Sequence, residues 1–167
     1  GSIVPISMGS NTLCQGTYTL LDDIVKYLPS PENKELAGIN MKTNEIFQAN
    51  YDFSKAKSAY VFKTIVDPFI GKYSLIKVCS GVFKPDDMIY NKDKDIEEKV
   101  SKLYVLQGSK PIEVPELHAG DIGAIAKLTA ARTGNTLSTK ANIIEYGKFE
   151  ISKPYTALRY KVPNKGD

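Results

Sequence analysis

Apolar Leu20, Leu21, Ile24, Val25 and Leu28 recur at three- and four-residue spacing, which predicts a helix over residues 17–28 with one apolar face. Asp22 and Asp23 are expected in its first turns, where acids complement the helix dipole, and Pro29 and Pro31 end it. Ahead of it, Ile3-Val4-Pro5-Ile6 reads as a short buried strand followed by a polar turn over 7–16. Residues 32–57 are polar and rich in Asn and Lys, the pattern of a linker or a loosely packed insertion. Beyond them the chain alternates apolar and polar positions between frequent turn signals, as all-β sandwiches and barrels do. Residues 60–66 and 73–80 read as paired strands around the turn residues Asp67, Pro68 and Gly71. Further turns at 84–87, 91–95, 108–111, 118–121 and 132–135 separate segments such as 98–106 and 122–128, leaving no room for parallel crossovers. Past Lys140 the polarity shifts again. Residues 155–162 then alternate as one isolated strand, which needs a partner and reads as the first strand of another domain.

Composition narrows the function more than the fold. At 167 residues the chain fits one domain, or one domain with fragments of its neighbours. Its formal charge of +3 is too slight for DNA wrapping and leaves room for a modest RNA or ribosome surface. Cys14 and Cys79 lie far apart without a C-x-x-C pairing, which argues against a disulfide framework or zinc ribbon and points to a reducing cytoplasm. No apolar run approaches the roughly 20 residues that a membrane span requires, so no membrane partner is expected.

Candidate chemistry is sparse. His118 is the one histidine and has no Cys or His neighbour, so no metal site is expected around it. Cys79 falls on an alternating strand, where a cysteine packs as a small hydrophobe; a nucleophile would also need a positioned base. Asp86 and Asp87 are adjacent after Pro85 and suit a turn better than an acid/base pair. The stretch Asn164-Lys165-Gly166-Asp167 matches the N-K-x-D pattern that reads guanine, but no G-x-x-x-x-G-K-[ST] loop accompanies it to cradle phosphate. No catalytic residue and no cofactor are therefore expected within these residues.

Particular runs are more specific than these patterns. Phe62-Lys63-Thr64-Ile65-Val66-Asp67-Pro68-Phe69-Ile70-Gly71-Lys72, continued by Val78-Cys79-Ser80-Gly81, resembles the start of domain II of elongation factor G. Ala119-Gly120-Asp121-Ile122-Gly123-Ala124 and Thr133-Gly134-Asn135-Thr136-Leu137 are similar to the A-G-D-I-x-A and T-G-D-T-L elements that close the same barrel. Upstream, Val4-Pro5-Ile6, Gly9-Ser10, Leu20-Leu21-Asp22 and Tyr27-Leu28-Pro29-Ser30-Pro31 resemble the last strand, guanine-contacting loop and final helix of the family's GTPase domain. Asn11 and the segment 107–116 depart from the family's usual residues, as in a divergent elongation factor G-like paralogue.

The resemblance implies a mainly β fold: a closed antiparallel β-barrel of the translation-factor domain II type, behind a short N-terminal strand-helix remnant. It divides the chain into a GTPase-domain remnant (1–31), a linker or insertion (32–57), the domain II barrel (58–141) and the start of domain III (142–167). It implies a cytoplasmic module that docks on the small ribosomal subunit and ribosomal RNA and contacts the GTPase domain and domain III of its parent. GTP and Mg²⁺ would belong to that parent, where Gly9 and Ser10 would contact guanine. Lys63, Lys72, Lys77 and Arg132 lie on or beside the matching loops and are the expected RNA contacts.

Three further readings stand beside this one. Ribosomal protection proteins, which remove tetracycline, share the architecture. An independent oligonucleotide-binding barrel would expose Tyr60, Tyr73 and Tyr104 on one face for base stacking. A small enzyme would need convergent polar groups around His118 or Cys79. The apolar faces of the helix and of the strand after Pro154 are expected to fold back on the barrel or to pair between molecules.

Overall fold

The computed structural model of the protein describes residues 3–67, 71–108, 110–147 and 155–159. Among these residues it is mainly β, with one α-helix, α1 (Thr17–Tyr27), and a 3-10 turn at Pro31–Asn33. The strands are β1 (Ala37–Asn40), β2 (Glu45–Gln48), β3 (Ser58–Asp67), β4 (Gly71–Ser80), β5 (Val82–Phe83), β6 (Met88–Asn91) and β7 (Ile96–Lys99). They continue with β8 (Leu103–Gln107), β9 (Lys110–Val114), β10 (Leu117–His118), β11 (Ile122–Ala126), β12 (Thr136–Ser138) and β13 (Ile144–Glu145).

Eight strands form one antiparallel sheet in the order β7-β6-β12-β3-β4-β11-β8-β9. Alternation along β3 and β4 sends Ala59, Val61, Ile76 and Val78 to one face, where they meet Phe83, Ile89, Leu103, Leu117, Ile125 and Leu137 in a single buried core. Strands from along the sheet thus wrap one core, and the short β5–β10 pair adds Phe83 and Leu117 to it. The ladder runs from β7 to β9, and among the described residues no ladder joins these two edges. On the other face of β4, Tyr73 and Leu75 pack with Tyr104, Ala124 and Ala126 as a second cluster.

The segment read as a linker or loosely packed insertion contains a hairpin instead. β1 pairs β2 and also β13, about a hundred residues later, in a three-stranded sheet. Ala49, Cys79, Ile144 and Tyr146 pack together beneath it, and Ser58 Oγ joins Ser80 Oγ at 2.5 Å and Tyr146 Oη at 2.6 Å. Its polar sequence reflects strands only four residues long, with most side chains facing solvent.

Four other expectations are corrected. Ile3, Val4 and Ile6 are exposed and form no strand, since a strand this short needs a sheet to join and none lies beside it among the described residues. α1 forms, but Asp22 and Asp23 lie beyond its first turn, which holds no acid. It buries none of its residues, so its apolar face does not fold back on the sheet, and of the two expectations for it only pairing between molecules stands. Residues 98–106 are two strands, divided where Val100 turns into the core and its backbone bonds Asp86 and Asp87. Tyr155 and Leu158 are exposed; the strand expected after Tyr155, the turn over 68–70, the Asn164 to Asp167 pattern and the chain over 148–154 lie wholly or partly outside the described residues.

Candidate functional site

β3 and β4 carry three of the four cations expected to meet RNA, and the register separates them. Lys63 is exposed opposite Leu75, Lys77 pairs with Tyr60, and Lys72 pairs with Val66 near the far end of the ladder. Paired residues share a face, so Lys63 and Lys77 lie on the opposite face from Ile76 while Lys72 follows the face of the main core.

Lys72 meets Arg132 there. The Lys72 ammonium donates to the Ala131 carbonyl, and partial burial followed by the Arg132 guanidinium pushes its pKa down. Arg132 is exposed and donates to the Thr129 carbonyl at 3.2 Å. Glu98 fixes the loop between them: its carboxylate accepts from the Thr129 backbone N–H at 2.6 Å and hydroxyl at 2.7 Å, and from the Ala130 N–H. Asn135 completes the turn by accepting from the Arg132 N–H at 2.8 Å. Lys127, not singled out from the sequence, joins the group: its N–H donates to the Lys72 carbonyl at 2.9 Å and its side chain is exposed. Its φ of 64° marks the bend that leaves β11, a position that spacing alone does not flag.

Lys77 belongs to a different place. A register shift between Val61 and Lys63 makes Phe62 an extra residue in β3 and brings it beside Tyr60 at a cleft of about 400 Å³. Leu36, Tyr51 and Tyr146 line the same cleft, and the Lys77 ammonium lies 5.0 Å from the Tyr51 ring centroid. Tyr51 comes from the supposed linker, so its role was not legible.

The aromatic face expected of an oligonucleotide-binding barrel does not form. Tyr73 and Tyr104 are buried against each other edge to face, with centroids 5.5 Å apart, because both lie over the second cluster. Gly9 and Ser10 lie in a tight turn, where Ser10 and Gln15 exchange backbone hydrogen bonds of 3.0 and 3.1 Å ahead of α1.

His118 is half-exposed; its Nε2 lies 3.2 Å from Glu116, which also bridges to Lys84 at 3.0 Å. Cys79 lies in the cleft, apart from this group. Burial pushes its thiol up to about 11 from an ordinary 9.0. The native state therefore keeps a proton that the unfolded chain loses above about pH 9, so this contribution to stability is whole below that pH and fades as pH rises toward 11. Iodoacetamide at pH 8 is expected to label exposed Cys14 and spare Cys79 until denaturant is added. Rapid native labelling of Cys79, read by mass spectrometry of its peptide, would contradict this burial.

No helix among the described residues is long and apolar enough to cross a membrane. The family described as Elongation factor G domain 2 matches residues 56–140. Elongation factor G of Chlamydia trachomatis, from serovar D and from serovar A, is 33% identical over the whole chain, which spans 24% of each relative's length. A crystal structure of a protein from Thermus thermophilus superposes with a TM-score of 0.53 at 27% identity, covering 74% of this chain and 16% of that one. The chain belongs to the elongation factor G family, and residues 56–140 are its domain 2.

Proposed function

We propose that the β-rich unit over 58–141 closes as a barrel, docks on the small ribosomal subunit through ribosomal RNA, and couples that contact to a GTPase domain in its parent. In this reading 1–31 are the end of that GTPase domain, 32–57 a connecting segment, and 142–167 the start of domain III. Gly9 and Ser10 contact guanine in the intact cytoplasmic parent, where GTP and Mg²⁺ are bound, and the fragment itself carries no catalysis.

The observation that supports docking is the group formed where Lys72 on β4 meets Lys127 and Arg132 on the loop after β11. Its nearby acid, Glu98, is engaged by Thr129 and Ala130, and the exposed Arg132 and Lys127 present their charge to solvent, while the Lys72 ammonium is tied to the Ala131 carbonyl and adds to the local positive field. Backbone phosphates need charge placed at fixed positions rather than base-reading geometry. Lys63 extends the positive surface on the other face of β3.

Binding of the chain to small ribosomal subunits is expected to weaken as salt rises. The double variant Lys72→Gln, Arg132→Gln is expected to bind at least about tenfold more weakly at low salt, with a log–log salt slope shallower by up to about two. A double variant with unchanged affinity and slope would remove this surface from the docking interface.

A further inference from the structure

A cleft lies between the three-stranded sheet and the outer face of β3–β4. Its volume of about 400 Å³ falls within the ~300–1,000 Å³ typical of small-ligand sites. The lining joins flat rings to positive charge: Tyr51, Tyr60, Phe62 and Tyr146 supply the rings, while Lys77 and Lys34 supply the charge. Among the described residues, no Asp or Glu lines it. An apolar protein segment would gain little from two ammonium groups beside rings, whereas an anionic aromatic ligand uses both.

We infer that this cleft receives one unstacked nucleotide of single-stranded RNA, its base lying on Phe62 and its phosphate held by Lys77 and Lys34. Phe62 is the exposed platform, at 39% of its surface, because the bulge in β3 turns it out beside Tyr60. Tyr51 and Tyr146 are buried and form fixed walls, so the site is already shaped. Tyr146 is held by Ser58, and Tyr51 by a backbone bond of 3.1 Å from its N–H to the Cys79 carbonyl. Lys77 already sits over the Tyr51 ring and lines the same cleft as Phe62. A base stacked on one aromatic ring gains binding without sequence preference, and a neighbouring cation adds the phosphate contact.

The inference rests on the ribosome-docking reading for the source of the nucleotide, yet it concerns a different surface from the Lys72–Arg132 loop. Adenosine 5′-monophosphate, ribose 5-phosphate and inorganic phosphate are titrated separately into the 167-residue chain, with binding followed by NMR shifts. The monophosphate is expected to saturate and to shift Phe62, Lys77 and Tyr146. Ribose 5-phosphate is expected to bind about tenfold more weakly or worse, because it lacks the base. Phe62→Ala is expected to weaken adenosine 5′-monophosphate about tenfold, with the dispersed spectrum of a folded chain retained. Lys72→Gln, Arg132→Gln is expected to leave that binding unchanged.

Equal binding of ribose 5-phosphate, shifts confined to the Arg132 loop, or an unaffected Phe62→Ala variant would each overturn the nucleotide site. Those results would leave subunit docking standing if the Lys72 and Arg132 variant still lost it. Loss of docking sensitivity with a working cleft would overturn only the earlier reading.

Discussion

Replacing Phe83 by Ala is expected to destabilise the chain by about 3–5 kcal/mol, a large share of the stability of a domain this size. Phe83 is fully buried and heads the largest side chains in the main core. It comes from β5, a strand of two residues paired, among the described residues, only with the two residues of β10, Leu117 and His118. So short a ladder contributes few hydrogen bonds, and β5 is held chiefly by the ring itself. Its removal leaves a cavity facing Leu117 and Ile125, which sheet residues on both sides can fill only by shifting a close-packed wall. Urea denaturation measures the loss. A drop below about 1 kcal/mol would mean that the surrounding strands collapse into the space and that the core is less fixed than its burial implies. Leu20→Ala on the exposed α1 is the contrast and is expected to change stability by no more than about 0.5 kcal/mol.

That contrast explains what the sequence could convey. The 3.6-residue period of 17–28 correctly marks an amphipathic helix, but periodicity reports that an apolar face exists and not where its cover lies. β3 and β4 were legible because ten-residue strands with β-branched and aromatic residues leave a long period-two signal. β5, β10 and β13, two residues each, leave none. β1 was hidden for another reason: its partner β13 is about a hundred residues away, and no local pattern encodes a pairing across that distance. The candidate site divides in the same way. Lys72 lies in a family-like run and Arg132 beside one, so resemblance nominates them, while only the fold shows that Lys72 on β4 reaches the loop that carries Arg132. Tyr51 could not be read as part of a cleft with Lys77 while 32–57 passed for a linker. Tyr73 and Tyr104 failed as an exposed pair because alternation gives the face of a strand but not whether that face is covered.

The hairpin in that supposed linker carries the second large expectation. A chain that begins at residue 56, where the domain 2 match begins, is expected to lose at least about 4 kcal/mol relative to one beginning at residue 31. The loss has three identifiable parts. Buried Tyr51 disappears from the main core and Ala49 from the packing around Cys79 and Tyr146, which for the Tyr51 ring alone is worth about 1.5–3 kcal/mol. Two backbone bonds that tie the segment to β4 and its exit, Tyr51 N–H to Cys79 at 3.1 Å and Gly81 N–H to Asp52 at 2.9 Å, each contribute about 1 kcal/mol. β13 loses β1, its strand partner, which leaves Tyr146 and its hydrogen bond to Ser58 attached to a frayed end. Gly81 shows how tightly the pieces meet: a Cβ there would come within 2.9 Å of the Lys55 carbonyl oxygen and of Lys57 Cα. Thermal unfolding and amide hydrogen exchange of the two chains compare them directly. Equal melting temperatures and equal protection around Cys79 would show that the hairpin only rests on the sheet. A lower midpoint, with protection lost first at Ser58, Cys79 and Tyr146, is expected because the hairpin is what covers these groups on that face.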